Sequence, residues 1–116
     1  MNDAACLFCR IVERKLPADI VAEEEGLLAF KDVNPQAPIH LLIVPTEHVP
    51  SVADLTERQT PLIGRAIHFA NRLAHRHQLT PAGYRLVINC GPQAGQSVSH
   101  LHLHLLGGRP LRWPPG

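Results

Sequence analysis

The sequence predicts an α+β domain in which an antiparallel five-stranded sheet carries one long and one short helix. Three observations predict it. Between Ser97 and Leu106, His100, His102 and His104 alternate with Leu101, Leu103 and Leu105, the period of a half-buried strand. Leu62, Ile63, Ala66, Ile67, Ala70, Leu73 and Ala74 repeat at three and four, the stripe of a helix lying on a sheet. The order of segments is a short helix, three strands, the long helix and two more strands, which suits an antiparallel sheet with the long helix on one face.

In chain order, Leu7, Phe8, Ile11 and Val12 have helical spacing, and Pro17 closes a short helix expected to reach Leu16. Ile20 to Glu24 and Leu27 to Asp32 read as two strands joined at Glu25-Gly26, the glycine suiting a hairpin turn. Prolines make 33–38 a loop, and the apolar run Ile39 to Pro45 is a central strand with one polar intruder, His40. Thr56 and Gln59 form a capping box for the long helix, Pro61 is tolerated near its start, and the helix runs to about Gln78. Tyr84 to Asn89 is the fourth strand, Gly91 to Gly95 a loop, and the histidine strand is the fifth. The proline-rich tail, about 107–116, carries the single tryptophan, Trp113, and is expected to pack on its own domain or on a second subunit.

Length and composition bound the function. A chain of 116 residues is one domain with one core, and 45% hydrophobic with 18% charged residues is a globular balance. A formal charge of +1 gives no electrostatic case for nucleic-acid wrapping or membrane binding. The N-terminus lacks a basic segment followed by an apolar run, so the expected address is cytoplasmic. Three cysteines, with Cys6 and Cys9 only three apart, make a disulfide framework improbable and invite a metal or redox reading of the Cys-x-x-Cys.

On a strand rising about 3.3 Å per residue, the three imidazoles share one face, each roughly 6.6 Å from the next. A lone histidine there is ordinarily a half-buried polar residue. Three in register, backed by leucine, make a chemical site, because imidazole both titrates near neutrality and ligates metals. The loop from Gly91 to Ser97 can converge backbone N–H groups and a hydroxyl on an anion, and Asn89 would lie across it from Ser97. His68, His75 and His77 share no spacing with the triad and read as solvated surface residues.

His100-Leu101-His102-Leu103-His104-Leu105-Leu106 resembles the signature of the histidine triad superfamily. Pro35-Gln36-Ala37-Pro38-Ile39-His40, Gln96-Ser97-Val98, Leu105-Leu106-Gly107-Gly108-Arg109 and Trp113-Pro114-Pro115-Gly116 extend the resemblance to the histidine triad nucleotide-binding branch. It implies a homodimer whose two sheets join into one, and hydrolysis of purine nucleoside phosphoramidates through a nucleotidyl-histidine. Carried over by position, His102 is the nucleophile, His104, Ser97, Asn89 and the backbone of Gly95 match the phosphate contacts, and Gln96 belongs with the nucleotide-binding residues. His100 and His40 support the nucleophile, Asp32 holds the ribose hydroxyls, and Leu7, Phe8, Ile11, Phe30 and Val33 form the purine pocket. Without the resemblance these apolar residues would read as ordinary core.

Two features depart from that pattern. Cys90 stands where a glutamate is expected, and Pro92-Gln93-Ala94 replaces a more polar loop, which bears on substrate preference. Cys6 and Cys9 are absent from many members. Some bacterial relatives have them and bind a structural zinc with histidines at the positions of His48 and His100. Within the superfamily, dinucleoside polyphosphate hydrolysis and nucleotidylyl transfer are alternative activities. Outside it, the histidines also fit a hydrolase holding a catalytic zinc through His100, His102 and a third histidine, or a nucleotide-binding partner module with incidental catalysis.

Overall fold

The computed structural model describes residues 3–116. Helix α1 (Leu7–Val12) starts at Cys6, whose sulfur accepts the Cys9 N–H at 3.4 Å. Strands β1 (Ile20–Glu24), β2 (Leu27–Lys31) and β3 (Ile39–Pro45) follow, with the β1–β2 turn at the predicted Glu25-Gly26. Helix α2 (Thr60–Arg76), β4 (Tyr84–Val87) and β5 (Leu103–Gly107) complete the order. All strand pairs are antiparallel, and the sheet runs β1-β2-β3-β5-β4.

The central strands are apolar on both faces because each face carries a helix. Leu27, Ala29, Leu41, Ile43, Leu103 and Leu105 point toward α2, where they meet Leu62, Phe69 and Leu73. Burial of each such leucine or phenylalanine contributes roughly 1.5–3 kcal/mol, and this side holds the main core. Leu28, Phe30, Leu42 and Val44 point the other way, onto Phe8, Cys9 and Ile11 of α1. Helix α1 covers only part of that second face. The histidines occupy the rest.

Several element boundaries differ from the sequence expectation, and backbone chemistry explains most of them. Helix α1 stops at Val12 rather than Leu16 because Arg14 adopts φ 62° and Lys15 and Arg14 donate their N–H groups to the carbonyls of Arg10 and Ile11. That is a Schellman closure made by an arginine where glycine is usual. Gln78, φ 62°, ends α2 the same way, with Leu79 and Gln78 bonded to Ala74 and His75. At the other end the capping box of Thr56 and Gln59 is present, but a single 3₁₀ turn, Glu57–Gln59, separates it from the α-helix. Strand β4 ends at Val87 rather than Asn89.

One further difference bears on function. The histidine strand begins at Leu103, not Ser97, so only His104 lies within it. Its register, Ile43 opposite Leu103, would next pair Val44 with His102 and Pro45 with Leu101. Proline has no N–H to continue that ladder. The Leu101 N–H goes instead to the Val49 carbonyl, at 2.6 Å, and the segment before Leu103 bends away. The three imidazoles therefore do not stand evenly along one strand face. His77 also departs from expectation: His68 and His75 are exposed, whereas His77 is half-buried, with Nδ1 2.9 Å from the Leu73 carbonyl.

Candidate active site and metal cluster

The bend before β5 turns the three histidines to three different environments. His100, fully buried, donates from Nε2 to the Pro45 carbonyl at 2.9 Å. A carbonyl only accepts, so the His100 proton sits on Nε2 and the Nδ1 lone pair faces the other way. There it meets Cys6 Sγ at 3.3 Å, Cys9 Sγ at 3.5 Å and His48 Nδ1 at 3.2 Å. His48 Nδ1 is 3.2 Å from Cys9 Sγ, and the four donor atoms lie within 4.8 Å of one another. A tetrahedral ion with metal–nitrogen bonds of about 2.0 Å and metal–sulfur bonds of about 2.3 Å needs edges of about 3.3 Å between nitrogens, about 3.5 Å between nitrogen and sulfur and about 3.8 Å between sulfurs, so two thiolates and two imidazoles fit such an ion here. Burial pushes the Cys9 thiol above its ordinary value and His100 below its own, each disfavouring the charged form. A bound cation would reverse that penalty for the thiol.

His102 is also buried and donates from Nδ1 to the carbonyl of His100 at 2.7 Å. Its proton is thereby fixed on Nδ1, leaving Nε2 bare. The edge of Phe8 from α1 packs against both rings, with centroids 5.2 Å from His102 and 5.9 Å from His100. His102 and His104 ring centroids are 5.0 Å apart, closer than an evenly extended strand would leave them.

His104 belongs to a chain of hydrogen bonds running away from the cleft. The Gln36 N–H donates to His40 Nδ1 at 3.0 Å, so the His40 proton is on Nε2. From there it reaches His104 Nδ1 at 2.9 Å, with Asp32 Oδ2 a longer partner at 3.4 Å. His104 is left with its proton on Nε2. Burial lowers the pKa of His40, with Asp32 opposing, and burial together with the neighbouring His102 and His40 lowers that of His104 to about 4. Both rings are neutral at pH 7.

Leu7, Phe8, Ile11, Phe30, Asp32, Val33, Ser97, His102 and His104 line one cleft between α1 and the sheet, joined by Leu16 and Val98. Leu7 and Val33 are exposed at its rim, whereas Phe8, Ile11 and Phe30 are buried in its wall. Asn89 and Gly95 do not line it. Gln96 braces the loop behind it, accepting the Gly91 N–H at 2.9 Å and donating to the carbonyls of Pro50 and Val98 at 2.8 and 3.0 Å. His102 belongs to neither metal-capable cluster among the described residues, so the arrangement with His100 and His102 on one shared ion is not formed. Two residues that sequence reasoning gave no site role, Gln36 and Arg109, reach the site through the backbone: Gln36 touches His40, and Arg109 holds the Gln36 carbonyl.

Fold, cleft and histidine arrangement together define a histidine triad domain. Residues 5–110 match the family described as scavenger mRNA decapping enzyme C-term binding, and the chain belongs to this histidine triad family. It is 42% identical to the purine nucleoside phosphoramidase of Escherichia coli K12, over 90% of this chain and 88% of that protein. Identity to the 14 kDa zinc-binding protein of Zea mays is also 42%, covering 100% of this chain and 91% of the maize protein. A crystal structure of a HIT family hydrolase from Legionella pneumophila Philadelphia 1 superposes with a TM-score of 0.94 at 46% identity, over 96% of this chain and 99% of that one.

Proposed function

We propose that the protein hydrolyses purine nucleoside phosphoramidates of the adenosine 5′-monophosphoramidate type. One observation carries the reading: His102 donates Nδ1–H to a backbone carbonyl at 2.7 Å in a cleft with an apolar wall, which leaves Nε2 as an unprotonated nucleophile. Nε2 attacks the α-phosphorus, and the bond to the leaving amine breaks as the amine takes up a proton. Water then cleaves the nucleotidyl-histidine, releasing the nucleoside monophosphate and the free imidazole. His104 offers Nε2–H to a phosphoryl oxygen beside Ser97 in the cleft wall, and Asn89 and Gly95, which lie outside that wall, close onto the phosphate when substrate binds. Asp32 takes the ribose hydroxyls, and Leu7, Phe8, Ile11, Phe30 and Val33 enclose the purine. Similarity to the E. coli phosphoramidase supports the substrate class.

In the same reading Cys6, Cys9, His48 and His100 hold a structural zinc, which supplies no chemistry to the reaction and ties α1 to the segment bearing His102. The maize relative's zinc supports this. Residues 1–116 act as one domain in the cytoplasm. Two copies join their sheets, and support comes from the edge position of β4 and from Trp113, 81% exposed in a tail that would lie on the partner.

The test is a substrate panel of adenosine phosphoramidates, diadenosine polyphosphates and sugar nucleotides, run on wild type and His102→Ala with chelator present and absent. Phosphoramidates should be the best substrates, and His102→Ala should lose on the order of 10⁴-fold in kcat. Quenched wild-type enzyme should carry nucleotide on His102, and chelator should leave turnover in place. A preference for diadenosine polyphosphates, or full activity in His102→Ala, would overturn the reading.

A further inference from the structure

Arg109, two residues past the end of β5, ties the loop between β2 and β3 to that end. Arg109 donates from Nε and Nη2 to the carbonyl oxygen of Gln36, at 3.0 and 2.8 Å, and from Nη1 to the carbonyl of Pro110 at 2.8 Å. Both edges of the guanidinium are thus engaged, a fork that no lysine reproduces. Gly108, at φ 96°, lets the chain fold back over the loop; a Cβ there would lie 2.9 Å from that of Pro38.

What Arg109 grips matters because of what Gln36 does with its other polar groups. Its N–H caps His40 Nδ1 at 3.0 Å, and its side chain donates to the Asn34 carbonyl at 3.0 Å. Asn34, Pro35, Gln36 and Pro38 are all exposed, and Ala37 is the one buried residue between Val33 and Ile39. Apolar packing therefore does little to hold the loop, and the Arg109 fork supplies a fixed point.

We propose that Arg109 is a positioning residue for the histidine pair: by anchoring Gln36 it selects the Nε2–H tautomer of His40 and, through it, the Nε2–H tautomer of His104. If the Gln36 N–H withdraws, His40 can carry its proton on Nδ1, accept from His104 at Nε2 and reverse the pair. His104 then presents a bare nitrogen to an anionic phosphoryl group, an electrostatic repulsion in place of a hydrogen bond. The catalytic consequence rests on the phosphoramidase reading; the tautomer assignment does not.

The experiment measures both. Long-range ¹H–¹⁵N spectra of the ligand-free protein should show Nε2 protonated and Nδ1 bare on His40 and His104, with Arg109→Ala giving mixed tautomers and Arg109→Lys falling between. Steady-state kinetics should show kcat lowered on the order of tenfold or more in Arg109→Ala with KM within about twofold, as expected when a transition-state donor is lost rather than uniform binding. Millimolar guanidinium should restore part of kcat to Arg109→Ala and leave wild type unchanged. Tautomers identical in wild type and Arg109→Ala, or a loss confined to KM, would overturn the proposal. Wild type inert toward phosphoramidates would strike the proposed function instead, while the spectra would still decide the role of Arg109.

Discussion

Cys6, Cys9, His48 and His100 on one side of His102, and Asp32, His40 and His104 on the other, are clusters of metal-binding residue types on one face of one sheet. Their far ring nitrogens sort them apart. In the first, the Pro45 carbonyl takes the outward proton of His100, so the inward nitrogen is a lone pair converging with two sulfurs. In the second, the Gln36 N–H caps the outward nitrogen of His40, so the inward nitrogen carries a proton and passes a hydrogen bond to His104 at 2.9 Å. A backbone acceptor prepares imidazole for a cation, whereas a backbone donor prepares it to relay a proton.

The largest expected departure from that contrast comes from metal removal. Purified protein should contain near one zinc per chain. With zinc a thousandfold above its dissociation constant, Cys6→Ser should cost about 4 kcal/mol and lower Tm by roughly 15 °C, read by calorimetry with and without chelator. Because the His102 hydrogen bond is made to a carbonyl, kcat should fall by less than about tenfold. Metal-free protein with unoxidised thiols as isolated would dissolve the contrast.

A smaller effect is expected from pH in the Cys6→Ser background, where the metal no longer contributes. His104 titrates at about 4 in the folded chain, below its ordinary 6.5. Between those values the unfolded chain binds more protons, so stability is full above about 6.5 and declines as pH falls toward 4. The share of His104 is on the order of 3 kcal/mol at most, and His40 adds in the same direction. Urea midpoints from pH 7 to 4 should drop steeply, and His104→Asn should flatten the slope. Smallest of all, Gly108→Ala should cost about 1–2 kcal/mol from its positive φ and its approach to Pro38, a loss visible in thermal melts.

How far the sequence could be read follows from where the information lay. Apolar runs and turn residues located β1, β2 and β3 because side-chain type decided them. The end of α1 was illegible because Arg14 adopts a left-handed conformation that its residue type does not announce, whereas α2 closes at Gln78, about where its apolar stripe runs out. The start of β5 was hidden in another segment: Pro45, 56 positions before Leu101, withholds the N–H that would have extended the ladder. The metal-capable cluster was foreshadowed by Cys6-x-x-Cys9 and the family resemblance. The roles of Gln36 and Arg109 were not, since both act on or through main-chain atoms, which leave no mark in residue identity.

The bond orienting His102 carries a consequence for how this chain tolerates change. It ends on the main-chain oxygen of residue 100, so substitution of the His100 side chain leaves the acceptor itself in place. Position 100 can gain or lose a metal ligand over evolutionary time while His102 keeps its proton on the same nitrogen, and the two chemistries can drift independently.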